Sequence, residues 1–233
     1  MSDSDVGSYQ LLIFDWDGTL ANSIERIVES VKVGAVACGL PVCDDESIRG
    51  IIGLSLSRAI DVLYPHVQDE ALRERFHMGY RQHYLALEEQ PSALFDGVRQ
   101  SLLAFREQGY QLAVATGKRR LGLDKVLSGQ GWQTFFDVTR AADETASKPD
   151  PLMLHEILSI CDCHPSRALM IGDSVFDLQM ARNAEMDSVA VGYGAQSLDV
   201  LRQHGPKLAI EHFSQLGEWL QANTLNRMNE RVG

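Results

Sequence analysis

Phe14-Asp15-Trp16-Asp17-Gly18-Thr19-Leu20 follows the apolar run Tyr9–Phe14 (YQLLIF), and this junction decides the fold. A short apolar run that stops at acids and a glycine reads as a strand buried on both faces, ending in a turn. Two carboxylates one residue apart leave an extended chain on the same face, so Asp15 and Asp17 can both reach a site at the strand's carboxyl end. Gly18 permits a sharp turn or a close backbone approach to a ligand, and Thr19 adds a hydroxyl. An acidic turn with no further role fits the same residues, because Asp-Gly is a common turn dipeptide. The rest of the chain separates the two.

Further apolar runs recur at Gln111–Ala115, Phe135–Thr139, Ala168–Ile171 and Ser188–Val191. Helix-length amphipathic stretches lie between them: Val98–Gln108, Leu121–Gln130, Pro151–Ile160, Val175–Asn183 and Ser197–His204. Pro151 suits a first helical turn, and Gly109 stands where a helix would stop. Strands alternating with helices across short links predict an α/β fold, a doubly wound parallel sheet with its site at the strands' carboxyl ends. One region departs from this. Between Leu20 and Gln90 the pattern is helical throughout (Ile24–Cys38, Ser47–Leu63, Asp69–Glu88), with Pro41 and Pro65 at turns. The expected organisation is a core of residues 9–20 and 91–220, an all-helical insert at 21–90, and a polar tail, either a frayed helix or disordered, at 221–233.

Composition bounds the function. The chain has 233 residues, 45% hydrophobic and 23% charged, in the range of a globular protein. Lys+Arg 21 against Asp+Glu 32 gives a net charge of −11, which argues against nucleic-acid binding through a general basic surface. Small anionic substrates stay open, since a local cluster of lysine and amide N–H groups can reverse the field in a pocket. Four cysteines are too sparse for a disulfide framework, and Cys161-Asp162-Cys163-His164 lacks the paired spacing of a zinc site. Met1 to Ser8 show no leader pattern, and no apolar run is long enough to span a bilayer. A soluble, cytoplasmic protein without a membrane partner is expected.

The ends of the other strands carry complementary chemistry. Thr116-Gly117-Lys118 offers a hydroxyl, a flexible backbone N–H and an ammonium, all suited to an anionic oxygen. It is not a P-loop: Leu112 stands where the first glycine is required, and Arg119 follows the lysine. Lys148, in Ser147-Lys148-Pro149-Asp150-Pro151, sits just ahead of a helix, with extended geometry favoured before proline. Asp173 and Asp177, in Gly172-Asp173-Ser174-Val175-Phe176-Asp177, lie one helical turn apart at a strand–helix junction, where a plain N-cap is the competing role. Four carboxylates converging on one hydroxyl require a cation, and oxygen-only ligands point to Mg²⁺.

With DxDGT, TG, KP and GDxxxD in this order, the chain resembles the haloacid dehalogenase superfamily, subfamily IA, across about residues 9–220. Within it, the chain is similar to phosphoglycolate phosphatase-type hydrolases with a helical cap. The resemblance implies a Rossmann-like core with a cap inserted after the first strand. It also implies a Mg²⁺-dependent phosphatase acting on a small phosphorylated metabolite. Asp15 would be the nucleophile, forming an aspartyl-phosphate. Asp17 would protonate the leaving alkoxide and then deprotonate the hydrolytic water. The metal would be held by the Asp15 carboxylate, the Asp17 carbonyl and Asp173, with Asp177 either near it through water or holding Lys148. Gly18, Thr19, Thr116, Gly117 and Lys148 would contact the phosphoryl group. Cap opening and closing would first exclude water and then readmit it.

Asp17 separates the chain from the dehalogenases of this fold, because halide leaves without a proton. Trp16 replaces a smaller apolar residue, and Asn22 stands where many relatives carry Asp, which bears on packing and on the hinge. Arg49, in the cap segment Arg49–Leu56, is a candidate partner for a substrate carboxylate or second phosphate; Lys118 and Asn22 are further candidates at the core–cap interface. His66, His77 and His83 read as cap surface or packing residues. Alternatives within the fold are a pyrophosphatase, a β-phosphoglucomutase-like phosphotransferase, and a phosphonate hydrolase using Lys32. Outside it stands a receiver-type signalling domain without turnover, against which the large helical insert and Asp17 both argue. Monomer and homodimer fit equally well.

Overall fold

The computed structural model describes residues 9–230, with side chains to residue 223. Residues 1–8 and 231–233, which include the polar N-terminus and the end of the expected tail, lie outside the described residues.

Six strands form one all-parallel sheet in the order β3-β2-β1-β4-β5-β6. They are β1 (Leu11–Phe14), β2 (Gln111–Thr116), β3 (Val138–Ala141), β4 (Ala168–Gly172), β5 (Asp187–Val191) and β6 (Leu208–Ile210). β1 lies between β2 and β4, pairing Phe14 with Val114 on one side and with Ile171 on the other. The winding direction reverses there, so a crevice opens at the carboxyl ends of β1 and β4.

All four residues of β1 are fully buried, and their alternation divides the core into two layers. Leu12 and Phe14 pack with α5 (Val98–Glu107), α6 (Arg120–Gln130) and α10 (Ser214–Glu230). Leu11 and Ile13 face α7 (Leu152–Ile160) and α8 (Val175–Asn183). This is the Rossmann-like, doubly wound α/β core expected from the sequence.

Between β1 and α5 the chain forms α1 (Ile24–Ala37), α2 (Asp45–Arg49), α3 (Leu56–Leu63) and α4 (Glu70–Leu87). These helices bury a separate apolar cluster that includes Ile27, Val31, Ile48, Ile60 and Phe76. α1 and α4 approach closely through glycines: a Cβ on Gly79 would lie 3.3 Å from the Gly34 Cα.

Three elements differ from expectation. The helix expected over Ser47–Leu63 is broken into α2 and α3, because Gly53 takes φ +105° and Ser55 caps a new helix with its side chain. β3 starts later than Phe135, because Phe135 and Phe136 pack against Trp132 instead of entering the sheet. β6 is a three-residue edge strand whose half-buried Leu208 and Ala209 give little apolar signal. Of the two states expected for the tail, a helix is observed: α10 continues past Gln221.

Candidate active site

The carboxyl end of β1 turns back at once. Gly18 adopts φ +75° and donates its N–H to the Ala21 carbonyl at 2.9 Å, while Leu20 and Ala21 both donate to the Trp16 carbonyl at 3.0 Å. A Cβ on Gly18 would fall 2.1 Å from Asp173 Oδ2, so only glycine fits there. The turn carries Thr19 inward, where its hydroxyl donates to Asp173 Oδ1 at 3.0 Å. Thr19 is fully buried and holds Asp173 in place. Gly18 and Thr19, expected at the phosphoryl group, build the turn here and anchor Asp173.

Asp15 is 1% exposed, and neither of its oxygens has a hydrogen-bond partner. Lys148 Nζ lies 2.9 Å from Asp15 Oδ1, at ion-pair distance but outside hydrogen-bond geometry, and 2.6 Å from Asp177 Oδ1. The other Asp177 oxygen accepts from Ser174 N at 3.1 Å and Ser174 Oγ at 2.6 Å, a capping box that fixes the start of α8. Asp177 therefore holds Lys148, one of the two roles open to it in the sequence, and caps its helix as well. Asp173 Oδ2 accepts from Ala195 N at 2.7 Å.

Carboxylate oxygens of Asp15, Asp173 and Asp177 lie within 4.8 Å of one another. Burial pushes the Asp15 carboxyl up to about 7; Lys148 opposes this, and the charges of Asp177 and Asp17 add to it. Burial likewise raises Asp173 well above the carboxylate range, reinforced by Asp15 and Asp177. Burial alone would lower Lys148, but Asp15 and Asp177 outweigh it and keep the ammonium charged. Three buried carboxylates face one ammonium, and neither Asp15 oxygen has a hydrogen bond. That all-oxygen, electron-rich donor set fits a hard divalent cation.

Asp17 sits at the mouth of this cluster. Its Oδ1 accepts from Ser23 Oγ at 2.5 Å and lies 2.9 Å from Lys118 Nζ. Lys118 also donates to the Tyr84 hydroxyl at 2.7 Å, so β2's end and α4 meet on Asp17. The expected position of Lys118 at the interface of core and insert is observed, with Asp17 as its partner. Thr116 is fully buried and its Oγ1 accepts from Lys118 N at 3.2 Å.

The insert covers the site through residues 53–55. A Cβ on Gly117 would lie 2.6 Å from the carbonyls of both Gly53 and Leu54. Ser55 N donates to Ser147 Oγ at 3.0 Å. Beneath this cover lies a cavity of about 560 Å³, bordered by Asp15, Asp17, Gly117 and Lys118 from the core and by Ile52, Tyr80 and Tyr84 from the insert.

Two expected residues stand elsewhere. Arg49 forms an ion pair with Glu25 and does not border the cavity, because the start of α1 offers it a carboxylate. Asn22 is exposed and its backbone N–H donates to the Ala93 carbonyl at 2.8 Å, tying the two crossings between core and insert together. Lys32, the lysine a phosphonate hydrolase would require, pairs with Asp45 away from the cavity. Ser23 and Tyr84 were not anticipated. Ser23 sits six residues beyond Asp17 at the start of α1, a position a local signal could have flagged; Tyr84 has no such signal.

Residues 12–191 match the haloacid dehalogenase-like hydrolase family. Three curated relatives align along most of the chain. The probable phosphatase IndB of Dickeya dadantii is 33% identical over 88% of this chain and 91% of its own. The pyrophosphatase PpaX of Listeria monocytogenes is 30% identical, covering 90% and 95%. A phosphoglycolate phosphatase of Psychrobacter arcticus is 28% identical, covering 91% and 95%. Among solved structures, a hydrolase from Pseudomonas syringae superposes with a TM-score of 0.84 at 22% identity, over 91% of this chain and 98% of that one. The chain belongs to the haloacid dehalogenase-like hydrolases.

Proposed function

We propose that the protein is a Mg²⁺-dependent phosphatase that hydrolyses a small phosphorylated metabolite, of the phosphoglycolate kind, through an aspartyl-phosphate on Asp15. The observation that carries this is Asp15 itself. It is a buried carboxylate with no hydrogen-bond partner at a strand's end, with Lys148 beside it and a second carboxylate two residues on. A desolvated carboxylate whose oxygens are not tied up in hydrogen bonds is free to act as a nucleophile.

Asp15 attacks phosphorus, and the bond from phosphorus to the alcohol oxygen breaks. Asp17 delivers its proton to the departing alkoxide. Water then attacks the aspartyl-phosphate, Asp17 takes the proton, and Asp15 is released as a carboxylate. Lys148, the Gly117 N–H and the Thr116 hydroxyl stabilise the charge spread over the phosphoryl oxygens. Lys148 is held for that task by Asp177. Asp15, the Asp17 carbonyl and Asp173 would hold Mg²⁺, whose charge would offset the repulsion between Asp15 and the phosphate dianion. The helical insert acts as the cap, with residues 53–55 excluding bulk water from the reacting centre. Four free cysteines support a reducing, cytoplasmic setting.

A second reading is supported by the relative named as a pyrophosphatase: the same machinery acting on pyrophosphate. Phosphate release from a panel containing phosphoglycolate, aryl and alkyl phosphates and pyrophosphate separates the two. The leading reading expects monoesters to be turned over faster; exclusive cleavage of pyrophosphate overturns it in favour of the second.

A further inference from the structure

The carboxyl end of α4 carries a buried polar network that runs from Asp17 to the junction of insert and core. Tyr84 and Glu88 stand four residues apart on one face there, and both are buried. Lys118 Nζ donates to the Tyr84 hydroxyl at 2.7 Å and lies 4.3 Å from the centre of the Tyr84 ring. Glu88 lies beside the same hydroxyl. Arg26 Nη1 holds Glu88 Oε1 at 3.1 Å, and Ser92 Oγ donates to that oxygen as well. A buried carboxylate at a helix's carboxyl end opposes the helix dipole, and these contacts offset that cost. Arg26 also donates to the Gln90 carbonyl at 2.6 Å, which anchors the network where the chain returns to the core.

Bonding capacity sets the direction of each contact. An ammonium only donates, so the Tyr84 hydroxyl accepts from Lys118, and its own proton needs a second partner. Burial pushes the Tyr84 phenol well above its ordinary value, and the charges of Asp17 and Glu88 add to this, so the hydroxyl keeps that proton. Glu88 is the acceptor beside it. At the other end of the network, Ser23 Oγ and Lys118 Nζ both hold Asp17 Oδ1. Among the described residues no donor reaches Asp17 Oδ2, and Asp17 borders the cavity. One oxygen of Asp17 is clamped, and the other is left for proton exchange.

We infer that Tyr84 and Glu88 are positioning residues for Asp17: Glu88 fixes the Tyr84 hydroxyl, Tyr84 fixes Lys118, and Lys118 turns Asp17 so that Oδ2 faces the departing alcohol oxygen. Oδ2 then gives its proton to that oxygen as the bond to phosphorus breaks, and takes one back from the hydrolytic water. The inference rests on the phosphatase reading for the role of Asp17 and adds two residues of the insert to that machinery. Because both belong to α4, Asp17 is held in this orientation only while the insert is docked on the core.

The test is the dependence of turnover on the leaving group, with Mg²⁺ and the full-length protein. p-Nitrophenolate departs without a proton, an alkoxide needs one, and kcat/KM covers the steps up to that departure. The ratio of kcat/KM for propyl phosphate or phosphoglycolate to that for p-nitrophenyl phosphate therefore reads how well Asp17 is aimed; a general loss of structure lowers both rates and leaves the ratio alone. Tyr84→Phe should lower the ratio about tenfold, a part of what a well-placed general acid contributes. Glu88→Gln should lower it less, because the amide oxygen still accepts from Tyr84. In Lys118→Met the ratio should fall as well, and adding Tyr84→Phe should lower it no further. Unfolding curves of each variant confirm the fold. A wild-type ratio in folded Tyr84→Phe overturns the inference, as does a further fall on adding Tyr84→Phe to Lys118→Met, which would mean that Tyr84 does not act through the lysine. Failure of the phosphatase reading shows separately, as an absence of phosphate release from all three esters by the wild type.

Discussion

Lys118 Nζ lies 2.9 Å from Asp17 Oδ1, and both side chains are about nine-tenths buried. Because Lys118 also bonds Tyr84 of α4, the same ion pair that orients Asp17 joins the insert to the core. Removing one member of a buried pair leaves the other charge uncompensated. Lys118→Met should therefore destabilise the fold by about 3 kcal/mol and lower kcat/KM. Asp17→Asn combined with Lys118→Met should regain part of that stability and none of the activity. Urea unfolding of the single and double variants measures the coupling, and purely additive losses would show that the pair contributes nothing.

Asp15 gives a pH signature to the metal-free protein. Its carboxyl is raised from 3.8 to about 7 by burial, so between these values the folded state holds the proton more tightly than the unfolded chain does. Its contribution to stability is complete below pH 4 and is lost as pH rises through about 7. Asp15→Asn removes this loss, and Lys148 keeps Asp177 as its partner. In chelator, the variant should melt several degrees above wild type at pH 8, with the gap closing towards pH 4. A gap that does not change with pH contradicts the assignment.

Mg²⁺ should relieve the same repulsion. At a concentration 100 times its Kd, a cation that binds only the folded state adds about 2.7 kcal/mol, which for a chain of this size raises Tm by about 5–10 °C. Asp173→Asn should abolish the shift. An undiminished Mg²⁺ response in that variant would move the metal away from the β4 carboxylate.

Gly117→Ala tests the docking of the insert. The new Cβ would meet the Gly53 and Leu54 carbonyls at 2.6 Å, and because both are backbone, one segment must move. Displacing the cover by about 1 Å should cost tenfold to hundredfold in kcat/KM, with faster amide exchange over residues 50–55. Unchanged activity would mean that this contact does not position the site.

The core of this arrangement is legible in the sequence because it is local. Asp15 and Asp17 share a face by strand periodicity, and Asp173 and Asp177 stand one helical turn apart. Each acid therefore reports its direction through its near neighbours. The partner of Thr19 is not local: the positive φ of Gly18 turns its hydroxyl onto Asp173, 154 residues away. The insert is less legible. Its helical character is clear from period and turn residues, but its contacts with the site are long-range, such as Tyr84 with Lys118 across 34 residues. No spacing distinguishes Arg49, which finds Glu25, from Arg81, which finds no partner among the described residues. Lys148 sits in an exposed-looking loop sequence and is completely buried, because two acids from other elements surround it.

The most direct test of the central claim is phosphate release from small phosphomonoesters, with and without Mg²⁺, by wild type and Asp15→Asn. Many turnovers per chain, lost on chelation and lost in the variant, are the predicted result. Release that stops at one equivalent, or turnover that persists in Asp15→Asn, would contradict Asp15 as the nucleophile of a phosphatase.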